Sequence, residues 1–136
     1  MTAAGYSGTP LARKLGFKPG MRAYVANAPE GFHALLGELP DGVRVLARPA
    51  DRLDLVVLFV YERRELERRL PGLQRRLDTA GMLWVAWPKR ASKVPTDVTE
   101  DVVRAVALPR GLVDVKVCAI DETWSGLKLV TRRALR

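Results

Sequence analysis

Histidine and cysteine each occur once in the 136 residues, as His33 and Cys118, and these two scarcities exclude more chemistry than anything else in the sequence. A single cysteine cannot build an internal disulfide framework. Set in an apolar stretch, Cys118 reads as a small core residue of a protein kept in a reducing compartment. A single histidine excludes a multi-histidine metal site and leaves little for a histidine-based triad, so His33, beside Phe32, reads as a surface residue. The phosphate-binding pattern G-x-x-x-x-G-K-[ST] is absent. The longest apolar run, Leu55 to Tyr61, falls far short of the roughly 20 residues a bilayer requires. Met1 to Gly8 shows no cationic segment leading into an apolar one. The expectation is a soluble, cytoplasmic chain with no catalytic side chains, no metal and no membrane association. One domain should span residues 1–136, with 1–20 as an N-terminal helical extension.

What the sequence does have is positive charge, +8 from 23 Lys and Arg against 15 Asp and Glu. Such an excess suits polyanions, because cations that neutralise phosphates release counterions. Its distribution suggests otherwise: Arg63, Arg64, Arg68, Arg69, Arg75 and Arg76 share one helical stretch with Glu62, Glu65, Glu67 and Asp78. That mixture reads as an exposed, ion-paired helix surface.

The chain is organised around Gly81 to Lys93. Met82-Leu83-Trp84-Val85-Ala86-Trp87 is apolar without alternation, and Pro88 is followed by Lys89, Arg90 and Lys93. A strand with no polar face must be covered on both sides, as in a parallel sheet flanked by helices. Such sheets bind ligands beyond the carboxyl ends of their strands. Further strands are expected at Met21–Asn27, Val43–Arg48, Leu53–Val60, Val113–Ile120 and Leu127–Val130. Short helices should follow Pro10 and Pro29. Glu62 to Ala80 carries Leu66, Leu70, Leu73 and Leu77 on one helical stripe, with Pro71 predicting a kink or a second helix. Asp97-Val98-Thr99-Glu100 reads as a capping box for a helix burying Val98, Val102, Val103 and Val106. The Asp121–Gly126 connection is too short for a crossover, so the last two strands must be antiparallel. The predicted fold is α/β and three-layered: a mostly parallel six-stranded sheet in the order 2-1-3-4-6-5, strand 6 antiparallel, helices on both faces.

Over about residues 20 to 132 this alternation resembles the small Rossmann-like fold of S-adenosylmethionine-dependent methyltransferases. Gly5-Tyr6-Ser7-Gly8, Asn27-Ala28-Pro29-Glu30-Gly31-Phe32, Leu83-Trp84-Val85-Ala86-Trp87-Pro88-Lys89 and Asp121-Glu122-Thr123-Trp124-Ser125-Gly126-Leu127-Lys128 carry a closer resemblance, to an uncharacterised bacterial family labelled only domain of unknown function 3052. The methyltransferase resemblance implies a glycine-rich turn after the first strand and an acidic residue ending the second. This chain has Asn27-Ala28-Pro29-Glu30-Gly31, with a single glycine, and Arg48-Pro49. No cofactor is therefore expected, with S-adenosylmethionine disfavoured.

The most suggestive constellation is the basic loop: Lys89, Arg90, Ser92 and Lys93 ahead of a helix start at Thr96 and Thr99, where cations, hydroxyls and free N–H groups favour an anion. Asp97 counts against it by capping that helix. Trp87 and Trp124, which end a strand and lie in a polar connection, could stack on a ligand, and Asn27 and Glu30 occupy the turn that the resemblance marks as a binding loop. Asp121 and Glu122 point apart on extended chain and read as turn residues. The expected function is a non-catalytic, methyltransferase-shaped module binding an anionic small molecule or an acidic protein surface at the carboxyl edge of the sheet. The alternatives are a small S-adenosylmethionine-dependent methyltransferase with an atypical cofactor loop, and a nucleic-acid-binding protein using the arginine-rich helix and the loop.

Overall fold

The computed structural model describes residues 9–136; the Gly5-Tyr6-Ser7-Gly8 segment and the first part of the expected extension lie outside them. The elements run α1 (Leu11–Leu15), β1 (Arg22–Ala26), α2 (Phe32–Leu36), β2 (Arg44–Leu46), β3 (Leu53–Phe59), α3 (Arg63–Arg76), β4 (Leu77–Pro88), α4 (Glu100–Ala107), β5 (Leu112–Ala119) and β6 (Trp124–Thr131). They build one six-stranded sheet in the order β2-β1-β3-β4-β6-β5. β1, β2, β3 and β4 pair in parallel, while β6 is antiparallel to both β4 and β5. This is the predicted topology.

The strands at the centre show why. Every residue from Leu55 to Val60 is buried, and so is every residue from Leu83 to Trp87. Period-two geometry sends their side chains alternately to the two faces. Val56, Leu58, Val60, Leu83, Val85 and Trp87 pack with Leu66, Leu70 and Leu73 of α3 and Val103 and Ala107 of α4. Leu55, Val57, Phe59, Trp84 and Ala86 pack with Leu11 and Leu15 of α1 and Phe32 and Leu36 of α2. Trp84 also ties the N-terminal helix to the sheet, donating its indole N–H to the Leu15 carbonyl at 2.8 Å. Gly16 follows in the left-handed region (φ 95°), closing α1.

Several boundaries differ from the sequence reading, each for a reason that is not local. Leu77 is buried as expected but begins β4 instead of ending the helix: its backbone is extended and it pairs with Leu53. The next pairing is Leu55 with Met82, so Asp78 to Gly81 bulge out of the ladder. A Cβ on Gly81 would lie 2.9 Å from Leu77 Cδ1 and 3.0 Å from the Asp54 and Asp78 carbonyl oxygens, which is why glycine stands there. α3 runs through Pro71 as one helix, since packing of its leucines on the sheet outweighs one missing backbone bond. β2 is only three residues long. β6 begins at Trp124 instead of Leu127, because the Asp121 carboxylate accepts from the Thr123 and Trp124 N–H groups at 2.8 and 2.7 Å and closes the turn early. Among the described residues no helix is long and apolar enough to cross a membrane.

Candidate functional site

β1 leads to β2 on one side of it and is flanked by β3 on the other, so the strand order reverses between β1 and β3. In open α/β sheets a ligand crevice opens at that point, beyond the carboxyl ends of the two strands. Here it is closed. Asn27, in the left-handed region at φ 60°, donates its side-chain N–H to the Phe59 carbonyl at 3.2 Å and clasps the two strand ends together. Above that clasp Phe32 meets Phe59 at 4.9 Å, Phe59 meets Trp124 at 5.0 Å, and Tyr61 meets Trp124 at 5.1 Å, all edge to face. Trp124 is therefore only 4% exposed. What remains open is a hollow of about 290 Å³ between Pro29, Glu30, Gly31 and Leu35 on one side and Asp121 and Thr123 on the other.

The basic loop follows β4, and most of its polar groups are already engaged. Lys89 donates its backbone N–H to the Thr123 carbonyl and its ammonium to the Asp121 carbonyl, both at 2.7 Å, stitching the loop to the β5–β6 turn. The Ser92 hydroxyl donates to the Lys89 carbonyl at 2.6 Å and accepts from the Val94 N–H at 3.2 Å. The Thr96 hydroxyl donates to the Tyr61 carbonyl at 2.5 Å and accepts from the Val98 N–H at 3.0 Å. Thr99 is the residue that caps α4, accepting from the Val102 N–H at 3.2 Å. Asp97 instead reaches across to the first turn of α3, where it accepts from the Arg63 N–H at 2.6 Å. It therefore leaves the start of α4 untouched.

Arg90 and Lys93 remain exposed, Lys93 in the left-handed region at φ 63°. They stand over a cavity of about 480 Å³ whose apolar floor is Trp87, Pro88, Val94 and Val98 and whose rim includes Thr99, Glu100 and Ser125. A second hollow of similar volume, between Tyr61, Glu62, Arg64 and Asp97, shares Pro95 and Thr96 with the first. Adjoining at Pro95 and Thr96, the two are together termed the trough, at the carboxyl edge between the start of α3 and the start of α4. Trp87 contributes to the floor although it is 7% exposed.

Of the ten residues singled out by sequence, Trp87, Lys89, Arg90, Lys93, Thr96 and Thr99 line this cavity, Ser92 braces the loop, and Glu30 and Trp124 line the separate hollow. Asn27 has become the clasp. Tyr61, Arg64, Val94, Val98 and Ser125 were not singled out; only the folded chain brings their segments together.

Burial pushes the Cys118 thiol up and away from the thiolate form, only partly offset by Lys14, Lys116 and Lys89. Among the described residues no three His, Cys, Asp or Glu side chains converge to hold a metal ion. Against the methyltransferase pattern, the turn after β1 lacks the glycines of a close-approach loop, and Arg48-Pro49 follows β2 where that pattern places a ribose-accepting carboxylate.

No family model and no curated protein matches the chain. Solved structures match in fold. An S-adenosylmethionine-dependent methyltransferase from Aquifex aeolicus superposes with a TM-score of 0.59 at 16% identity over 86% of this chain and 85% of that one. The Methanococcus jannaschii fibrillarin pre-rRNA processing protein gives 0.63 at 11% identity over 91% and 69%. Aeropyrum pernix fibrillarin, in complex with natively bound S-adenosylmethionine, gives 0.57 at 14% over 93% and 70%. The fold is thus that of Rossmann-like methyltransferases.

Proposed function

We propose that this chain is a methyltransferase-shaped binding module that performs no methyl transfer, and that it holds a small anionic ligand with an apolar body in the trough beyond β4. The observation that supports this best is the contrast between the two possible sites. The strand-order reversal is clasped by Asn27 and narrowed by Phe32, Phe59 and Trp124 to a hollow of about 290 Å³. The trough is open, with an apolar floor and the exposed cations Arg90 and Lys93 above it. An aromatic or aliphatic body on Trp87, Val94 and Val98, with its anion directed to Arg90 and Lys93, would use both halves of that surface. Lys89 serves the scaffold, since its ammonium is held by the Asp121 carbonyl.

Calorimetry with naphthalene-1-sulfonate as the anionic apolar probe tests the reading. Wild-type protein should bind it saturably. The Arg90→Ala/Lys93→Ala variant should lose that binding, while Arg68→Ala/Arg69→Ala/Arg76→Ala on α3 should keep it. Equal binding by all three proteins would remove the trough from consideration.

A second reading, an active methyltransferase, is favoured by the fold shared with proteins such as the S-adenosylmethionine-bound fibrillarin. A ligand at one hundred times its dissociation constant stabilises a protein by about 2.7 kcal/mol, several degrees in a domain of this size. On the proposed reading millimolar S-adenosylmethionine leaves the melting temperature unchanged; a saturable rise would revive the second reading, which methyl transfer to a supplied acceptor would then test.

A further inference from the structure

The β5–β6 hairpin carries an arrangement that the trough does not use. Lys116 and Lys128 are direct cross-strand partners, and like charges placed opposite one another destabilise a sheet. Lys128 is also the cross-strand partner of Trp84, whose indole bonds α1, so both lysines project from the α1 side of the sheet. Lys18, in the turn after α1, is the third charge at this place. Burial, reinforced by the charges of Lys116 and Lys18, holds the Lys128 ammonium below its usual range.

Among the described residues no carboxylate forms an ion pair with Lys18, Lys116 or Lys128. Every ion pair among the described residues is made by arginine. Of the hairpin's own acids, Asp114 pairs with Arg104 of α4 on the opposite face, Asp121 is spent inside the turn, and Glu122 sits at its tip. Lys14 adds a nearby ammonium, donating to the Ala119 carbonyl at 3.0 Å.

We propose that Lys18, Lys116 and Lys128 form a binding surface for the phosphate backbone of double-stranded nucleic acid. Its charge is complementary to closely spaced phosphates, whose approach would offset the repulsion between the paired lysines. Lysines act on phosphate as point charges and need no bidentate geometry, so ammonium groups on neighbouring strands can each meet a separate phosphate. Among the described residues this face offers no exposed ring on which an unpaired base could stack: Trp84 is buried beneath it, and the only exposed Phe, Tyr or Trp is Tyr61, at the carboxyl edge of β3. Contacts confined to the backbone make the binding independent of sequence.

Fluorescence anisotropy with a labelled duplex of about 20 base pairs, in two scrambled sequences, tests the proposal. Three phosphate contacts at ~0.9 counterions each predict about a 40-fold loss of affinity between roughly 50 and 200 mM salt, equal for both sequences. Lys18→Gln/Lys116→Gln/Lys128→Gln should weaken binding at least about tenfold and flatten the salt slope. Lys116→Glu is the decisive single change, because it creates an ion pair with Lys128: the protein should melt no lower than wild type and yet bind more weakly, which separates lost binding from lost folding. Four results would overturn the proposal. The first is no duplex binding at low salt. The second is an unaltered triple variant. The third is an equal loss in Arg68→Gln/Arg69→Gln/Arg76→Gln, which would mean diffuse charge. The fourth is binding to polyglutamate or to phosphatidylserine vesicles in preference to the duplex. The surface is separate from the trough, so Arg90→Ala/Lys93→Ala should leave duplex affinity unchanged.

Discussion

Trp84 shows what a single residue holds together. It is fully buried, and its ring and its N–H do different work: the ring fills the face between α1 and β6, and the N–H satisfies the Leu15 carbonyl that ends α1. Trp84→Ala should cost about 3–5 kcal/mol in denaturant unfolding, the range for truncating a core aromatic. Trp84→Phe keeps most of the ring but leaves a buried carbonyl without its donor, a loss of about 1–3 kcal/mol. If the phenylalanine variant matched wild type, the bond to Leu15 would contribute nothing. Mid-strand burial of Trp84 was legible in the apolar run around it; its partner, 69 residues away, was not. Trp124 misled for a related reason. Its neighbours in sequence are polar, but the Asp121 turn places it at the head of β6 against Phe59, and no local pattern reports a contact of that range.

Elements were legible where their signal repeats along the chain and obscure where another segment completes them. The β3 and β4 runs and the leucine stripe of α3 declared themselves by periodicity. The capping residue Asp97 was assigned to the wrong helix, because Asp97 and Thr99 both precede α4 and only the fold brings Asp97 to Arg63. That exchange is testable. Asp97→Ala should destabilise the protein by about 1 kcal/mol, as loss of a side-chain cap does. In native-state hydrogen exchange the accelerated amides should be Arg63 and its neighbours at the start of α3. Thr99→Ala should cost a similar amount but speed exchange at Val102. If Asp97→Ala accelerated exchange at the start of α4 instead, the cap would belong where the sequence alone had put it.

At the scale of the whole molecule the strand order was legible in full, because right-handed crossovers and one hairpin too short to cross over leave few alternatives. The trough was half legible: its basic rim is one contiguous loop, whereas Tyr61, Arg64 and Ser125 reach it from elsewhere in the chain. The balance of charge was legible as a sum and not as an arrangement, and its consequence appears on acidification. Arg104 of α4 binds Asp114 of β5 at 2.9 Å and Asp101 at 3.2 Å, and also pairs with Glu100. Its guanidinium holds the Asp114 carboxyl below the usual carboxylate range. A carboxyl lowered in the folded state adds stability above its ordinary pKa of about 4, and that contribution disappears as the pH falls through the folded value. At the same time protonation of the other carboxylates leaves 23 Lys and Arg facing one another with little to oppose them. The melting temperature should therefore change little between about pH 7 and pH 5 and fall below about pH 4. Asp114→Asn separates the local contribution from the global one. The variant should melt below wild type at neutral pH, and the two curves should converge on acidification, since only wild type has this pair to lose. Parallel curves across the whole range would assign the acid sensitivity to the overall charge and leave the Arg104–Asp114 contact between α4 and the edge strand without a role in it.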